Sequence, residues 1–170
     1  MGLLLPRIIL NALSSVNISL KYPCMKIIVQ RVIKAEVSVV DSGKVVGRIN
    51  NGYLVLLGVK RGDTPRSVEQ MAEKLSKLRI MSDAENKMNL SLKDAKGEIL
   101  VVSQFTLYAD VSAGNRPSFV NAEESVKAKQ IYEMFVKHLQ GLGLKVETGE
   151  FGKLMNIEAT LDGPVTIIYE

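Results

Sequence analysis

The chain has 170 residues, 46% apolar and 24% charged, the balance of one globular domain with a sizeable core. Its 22 basic and 18 acidic side chains leave a net charge of +4, which permits a polyanionic partner but is too mild to argue for one. One cysteine (Cys24) excludes an intrachain disulfide and fits a reducing, cytoplasmic compartment; one histidine (His138) beside it leaves no nitrogen–sulfur set for structural zinc. No serine stands in a Gly-x-Ser-x-Gly elbow, so a hydrolase built from this inventory would work without a conventional triad or metal.

Residues 1–24 contain no acid, only Arg7 and Lys21 as bases, and two short apolar clusters split by Pro6 and Arg7. No run there is long enough to span a membrane, and the order of charge and apolar core does not suit a secretory signal. Met25 then opens a strong strand. The expected organisation is a poorly ordered extension over 1–24, with an amphipathic anchor or targeting segment as the minor alternative, and a functional domain over 25–170.

Residues 25–32 and 35–40 read as two strands, the second alternating in the half-buried manner. Asp41-Ser42-Gly43 is a turn, 44–49 a third strand, Asn50-Asn51-Gly52 a hairpin signal, and 53–59 an apolar central strand. Four strands with short turns predict an antiparallel sheet or partial barrel. Thr64 before Pro65 has the character of an N-cap followed by a first helical residue. Val68, Met71, Ala72, Leu75 and Leu78 then recur at three and four, giving a helix to about Arg79 with Met71 in the core. Residues 83–86 read as a turn, 88–92 as a short strand and 94–97 as a hairpin loop.

Ile99 to Val102 is a continuous apolar run that suits a strand buried on both faces. Ser103, Gln104 and Thr106 follow with no break in β propensity. They are either a strand end meeting water or hydrogen-bonding groups set at the mouth of a cavity. The loop 108–119 carries Arg116, a phosphate contact or a solvated arginine. Asn121 and Glu124 have capping-box spacing for a helix to about Leu139 that buries Val126, Ile131, Met134, Phe135 and Leu139, with His138 on its edge. Gly141 and Gly143 stop it. Residues 145–148, 155–160 and 165–169 read as strands, the last two joined by a turn at Asp162-Gly163-Pro164. The fold class is α/β: a twisted, mostly antiparallel sheet or partial β-barrel with two main helices packed on it.

Two motifs, Ser103-Gln104-Phe105-Thr106 and Gly163-Pro164-Val165-Thr166, stand in this order with Gly114-Asn115-Arg116-Pro117-Ser118-Phe119 between them and the opening 25–32 before them. On these residues the stretch 25–170 resembles the D-aminoacyl-tRNA deacylases, editing hydrolases that release D-amino acids from mischarged tRNA. One departure stands out. The family usually has Asn-x-Gly-Pro-x-Thr, whereas Leu161 occupies the asparagine position, and leucine cannot pin a turn by local hydrogen bonds.

The resemblance implies a carboxylic ester hydrolase acting on aminoacyl-tRNA at its 3′ terminal adenosine, without cofactor or metal. Ser103, Gln104, Phe105 and Thr106 would form the catalytic set. Gly163-Pro164, as a cis peptide, would reach from each subunit of a homodimer into its partner's pocket and reject L-residues. Arg31 would fix that element, with Thr166 and Met155 supporting. D-aminoacyl-tRNA, and glycyl-tRNA mischarged on tRNA-Ala, would be cleaved. Thr106 has no adjacent base in the sequence pattern, which favours positioning over nucleophilic attack, with the substrate's ribose 2′-hydroxyl assisting. Two competitors remain: a relative with a trans Gly-Pro that edits L-alanyl-tRNA, and a noncatalytic tRNA-binding dimer. No Trp, five Tyr and four Phe, none spaced as a stacking platform, count against the second.

Overall fold

A strand of 14 residues, β1 (Lys26–Val39), forms the spine of the computed structural model, which describes residues 25–170. The extension expected over 1–24 lies outside the described residues. β1 replaces the two strands expected there. Ile27, Val29 and Arg31 are buried in alternation, Ile33 and Lys34 are exposed, and Ala35, Val37 and Val39 resume the alternation. The apparent break in the sequence is therefore a slip in the pleat, a bulge within one strand.

β2 (Val45–Ile49) returns antiparallel along residues 35–38 of β1, through a turn in which Gly43 adopts φ +63 and donates its N–H to the Val39 carbonyl. β3 (Gly52–Gly58) also runs antiparallel to β1, against residues 26–32. β2 and β3 thus point the same way, and Asn50-Asn51 is a kink in one path rather than the expected hairpin. The reason lies in β6 (Glu98–Ser103). Its Glu98 accepts the Asn50 N–H at 2.9 Å and donates its own N–H to the Asn51 carbonyl at 3.1 Å. Glycine is needed at 52 for close approach, since a Cβ there would lie 1.9 Å from the Glu98 carbonyl oxygen.

β6 pairs parallel with β3, and β7 (Lys145–Thr148) parallel with β6, so the sheet is mixed, with the pairings of β1 supplying its antiparallel majority. Two long crossovers make this possible, each carrying a helix. β8 (Met155–Tyr169) runs antiparallel along β1. The sheet curls until β2 meets β7, where a Cβ on Gly47 would stand 2.5 Å from the Thr148 carbonyl oxygen, giving a nearly barrel-shaped molecule. Leu54 and Leu100 point to a small core with Val32, Val37 and Ile49, whereas Tyr53, Val55 and Ile99 face the larger core under the helices.

α1 (Pro65–Ser76) begins at the expected cap, where Thr64 and Ser67 bond reciprocally, and ends three residues before Arg79. It buries Val68, Met71, Ala72 and Leu75. α2 (Ser125–Gly141) starts after Glu124 with no side-chain cap, so the Asn121–Glu124 box does not form. Its buried stripe is Ala128, Ile131, Tyr132, Phe135 and Leu139; Val126 is exposed on the opposite side, Met134 lies at the stripe's edge, and His138 is half-buried in the last turn. A short pair, β4 (Met81–Ser82) and β5 (Met88–Leu90), lies apart from the main sheet.

Candidate active site

The buried run of β6 ends at Ser103, and the chain turns at once into a 3-10 helix over Phe105–Tyr108. The unbroken β propensity through Thr106 does not carry the strand past Ser103. The turn seats on β3: Gln104 donates its N–H to the Leu57 carbonyl at 2.8 Å, and a Cβ on Gly58 would meet Leu107, Tyr108 and the Gln104 carbonyl at 3.1–3.2 Å. A bare backbone at 58 is what lets the polar segment fold back on the sheet.

A cavity of about 570 Å³ opens beside this turn. Val102, Ser103, Gln104 and Phe105 form one wall, the start of α2 with Ser125 and Ala128 a second. The third is the loop after β7, Phe151 to Leu154, continuing into Met155 and Ile157 of β8. That size falls within the range of about 300–1,000 Å³ usual for small-ligand sites. Ser103 and Gln104 are half-buried. Phe105 is 56% exposed, its ring edge-on to Phe119 at 5.0 Å. Thr106 stands beside the cavity, exposed, and its hydroxyl oxygen accepts a hydrogen bond from the Gln104 amide. An amide donor cannot take the threonine proton. Phe105 and Thr106 open the 3-10 turn, so their N–H groups have no acceptor within it.

Glu123, at the rim, is not a free base. It accepts from Lys127 Nζ at 2.7 Å and from the Gly62 N–H at 3.2 Å, and the lysine holds its carboxyl below the usual range. Glu123, Phe151 and Lys153 were not foreseen from sequence as lining residues. The sequence signal for this wall is the pair of glycines, Gly149 and Gly152, on either side of Phe151. Met155, foreseen as supporting, does line the cavity, and its sulfur accepts the Glu150 N–H at 3.3 Å.

The Gly-Pro element lies elsewhere. The Gly163-Pro164 bond is cis and Gly163 adopts φ +117, a conformation suited to glycine. Neither residue lines the cavity, nor does Thr166, which pairs with Gln30. Pro164 lies nine positions after Met155 along the strand, a path of roughly 30 Å. Arg31, 7% exposed, sits under the element. Its Nη1 donates to the Ile80 carbonyl at 2.7 Å and to Ser82 Oγ at 3.1 Å. Its Nε faces Asp162 Oδ2 at 2.9 Å, an ion pair without the alignment of a hydrogen bond. The protomer therefore gathers Ser103, Gln104, Phe105 and Met155, keeps Thr106 beside them, and holds Arg31, Gly163, Pro164 and Thr166 apart. Arg116 is exposed in a loop closed by paired hydrogen bonds between Asp110 and Ser118 at 2.8 Å.

Residues 28–170 match the family profile described as D-Tyr-tRNA(Tyr) deacylase. Over 146 residues the chain is 52% identical to the D-aminoacyl-tRNA deacylase of Aquifex aeolicus and 51% to that of Thermotoga petrophila, covering 86% of this chain and 97% of each relative. Among solved structures it is similar to the c-Myc DNA Unwinding Element Binding Protein, with a TM-score of 0.79 at 38% identity, covering 85% of this chain and 97% of that one. It shares its fold, at 18% identity and a TM-score of 0.74, with a probable eukaryotic D-amino acid tRNA deacylase, over 85% of this chain and 98% of that one. With sequence, motifs and fold in agreement, the chain belongs to the D-Tyr-tRNA(Tyr) deacylase family and is a hydrolase of D-aminoacyl-tRNA.

Proposed function

We propose that the protein works in the cytoplasm as a homodimer, each pocket closed by the partner's Gly163-Pro164, and that this closure is the chiral filter. The observation that carries the reading is a separation: within one protomer the cavity lacks the Gly-Pro element, while that element stands exposed further along β8. Exposed apolar side chains, Ile157, Leu161 and Ile168 on β8, with Leu154 just before it and Ile33 on β1, give a second copy a surface to cover. Among the described residues no helix is long and apolar enough to cross a membrane.

The terminal adenosine of tRNA and its ester enter the cavity, held by Ser103 and Gln104. The Phe105 and Thr106 N–H groups face the oxyanion that develops as water attacks the ester carbonyl. Thr106 positions rather than attacks, because its hydroxyl receives a hydrogen bond from Gln104 and has no base beside it. The substrate's own 2′-hydroxyl assists. The chemistry is assigned to chain and substrate, without metal or cofactor. A stiff Gly-Pro wall admits hydrogen or a D side chain at the α-carbon and clashes with an L side chain, which separates the competitors by repulsion. Glycyl-tRNA, including tRNA-Ala charged with glycine, passes the same filter.

Against a noncatalytic nucleic-acid-binding role, Phe105 is the one aromatic residue among those described that is more exposed than half-buried, too few for a stacking platform. Deacylation by purified protein tests the proposal: D-aminoacyl- and glycyl-tRNA should be hydrolysed and L-aminoacyl-tRNA should survive. Rapid release of L-alanine would overturn the filter, and tRNA binding with no hydrolysis would overturn the activity.

A further inference from the structure

We infer that Asp162, with Ser82 behind it, is a positioning residue that orients the Gly163-Pro164 element through Arg31, a task the leucine at 161 cannot perform. The inference rests on reading that element as the chiral wall.

The ladder between β1 and β8 breaks where the element lies. Gln30 pairs with Thr166 and Val32 with Leu161, so residues 162–165 have no partner on β1 and stand opposite Arg31 alone. Sheet pairing therefore does not hold this stretch. Leu161 is 43% exposed and has no hydrogen-bonding group to pin the turn from its own side.

What does reach the stretch is the Arg31 guanidinium. A planar fork fixed along one edge is fixed along the other. On the inner edge Nη1 is tied to the Ile80 carbonyl and to Ser82 Oγ, at 2.7 and 3.1 Å. On the outer edge Nε meets the Asp162 carboxylate at 2.9 Å, and Nη2 lies so close to Gly163 that a Cβ there would stand 3.4 Å from it. Asp162 is the carboxylate paired with Arg31 among the described residues. A guanidinium this deeply buried depends on its counter-ion, because an unmatched charge in such a place is costly. The pair acts by charge rather than by an aligned hydrogen bond, since Nε has no acceptor in line. Asparagine, equal in shape but neutral, should therefore fail where glutamate succeeds.

The experiment measures kcat/KM for D- and L-aminoacyl-tRNA, with thermal midpoints, for Asp162→Asn, Asp162→Glu, Ser82→Ala and Pro164→Ala. Asp162→Asn should lower the D-over-L ratio at least tenfold, chiefly through faster L-ester hydrolysis, and should also lower the thermal midpoint, because it leaves the buried Arg31 charge unmatched. Asp162→Glu should recover most of the ratio, and Ser82→Ala should shift it the same way by less. An unchanged ratio in Asp162→Asn and Ser82→Ala, while Pro164→Ala loses discrimination, overturns this inference and leaves the wall standing. An unchanged ratio in Pro164→Ala as well removes the wall itself. A fall in the thermal midpoint with the ratio intact would make Asp162 merely structural, which also overturns the inference. If Asp162→Asn does not fold, Ser82→Ala decides: a wild-type ratio there refutes the clamp.

Discussion

Single side chains divide here into those whose neighbours suffice to explain them and those that need distant ones. Thr64 and Pro65 could be read from sequence because a cap is a local device. Asp63, just before them, could not. It is 2% exposed, accepts the Lys60 N–H at 2.7 Å, and burial pushes its carboxyl up to about 6 from 3.8. The folded chain therefore keeps a proton that the unfolded chain releases between those values. The stability this confers is fully present below about 3.8 and is lost as pH rises through about 6. Urea unfolding at pH 5 and pH 7.5 should show the unaltered protein gaining on the order of 1 kcal/mol at the lower pH relative to Asp63→Asn. Parallel pH dependence in the two proteins would contradict this. Arg31 belongs with Asp63: a charged residue in a strand, it reads as surface until β4, β8 and the core close over it.

At the scale of elements, periodicity found nearly every strand and both helices, but could not assign partners. The apolar run of β6 told its burial correctly, because a parallel strand covered on both faces needs no polar side. Asn50-Asn51-Gly52 misled, because a turn dipeptide reports local backbone preference and not which edge the next strand joins. Its glycine serves β6. Gly52→Ala should accordingly cost about 3 kcal/mol, where a glycine-to-alanine change at an unstrained position stabilises by about 0.5–1 kcal/mol, because a Cβ there meets unyielding backbone. The thermal midpoint of the purified variant reads this directly. α2 shows the same limit in reverse: its stripe was legible, yet Val126 was placed inside because hydrophobicity marks a candidate for burial and only the helix phase decides.

For the whole molecule, the motifs announced the family while the distances between them stayed hidden. Ser103 to Thr106 and Gly163 to Thr166 stand in sequence like two halves of one site, and the fold keeps them apart in the protomer. If a second copy completes the pocket, as proposed, no pattern within a single chain could have encoded it. The small core within the curl of the sheet was equally illegible, since it arises only when β2 is drawn up to β7.

β8 contributes Met155 to its own cavity at its start and carries Pro164 well along its length. In the proposed assembly each strand is thus floor for one reaction chamber and door for the opposite one, and the two faults are separable by chain. Unfolding and refolding an equal mixture of Gln104→Ala and Pro164→Ala chains should produce hybrids with one chamber having both a sound floor and a sound door. Such hybrids, isolated by paired affinity tags, should regain about half the fast, stereoselective turnover that neither parent shows, and hybrids that stay as slow and as leaky as their parents would mean that the chambers borrow nothing from each other.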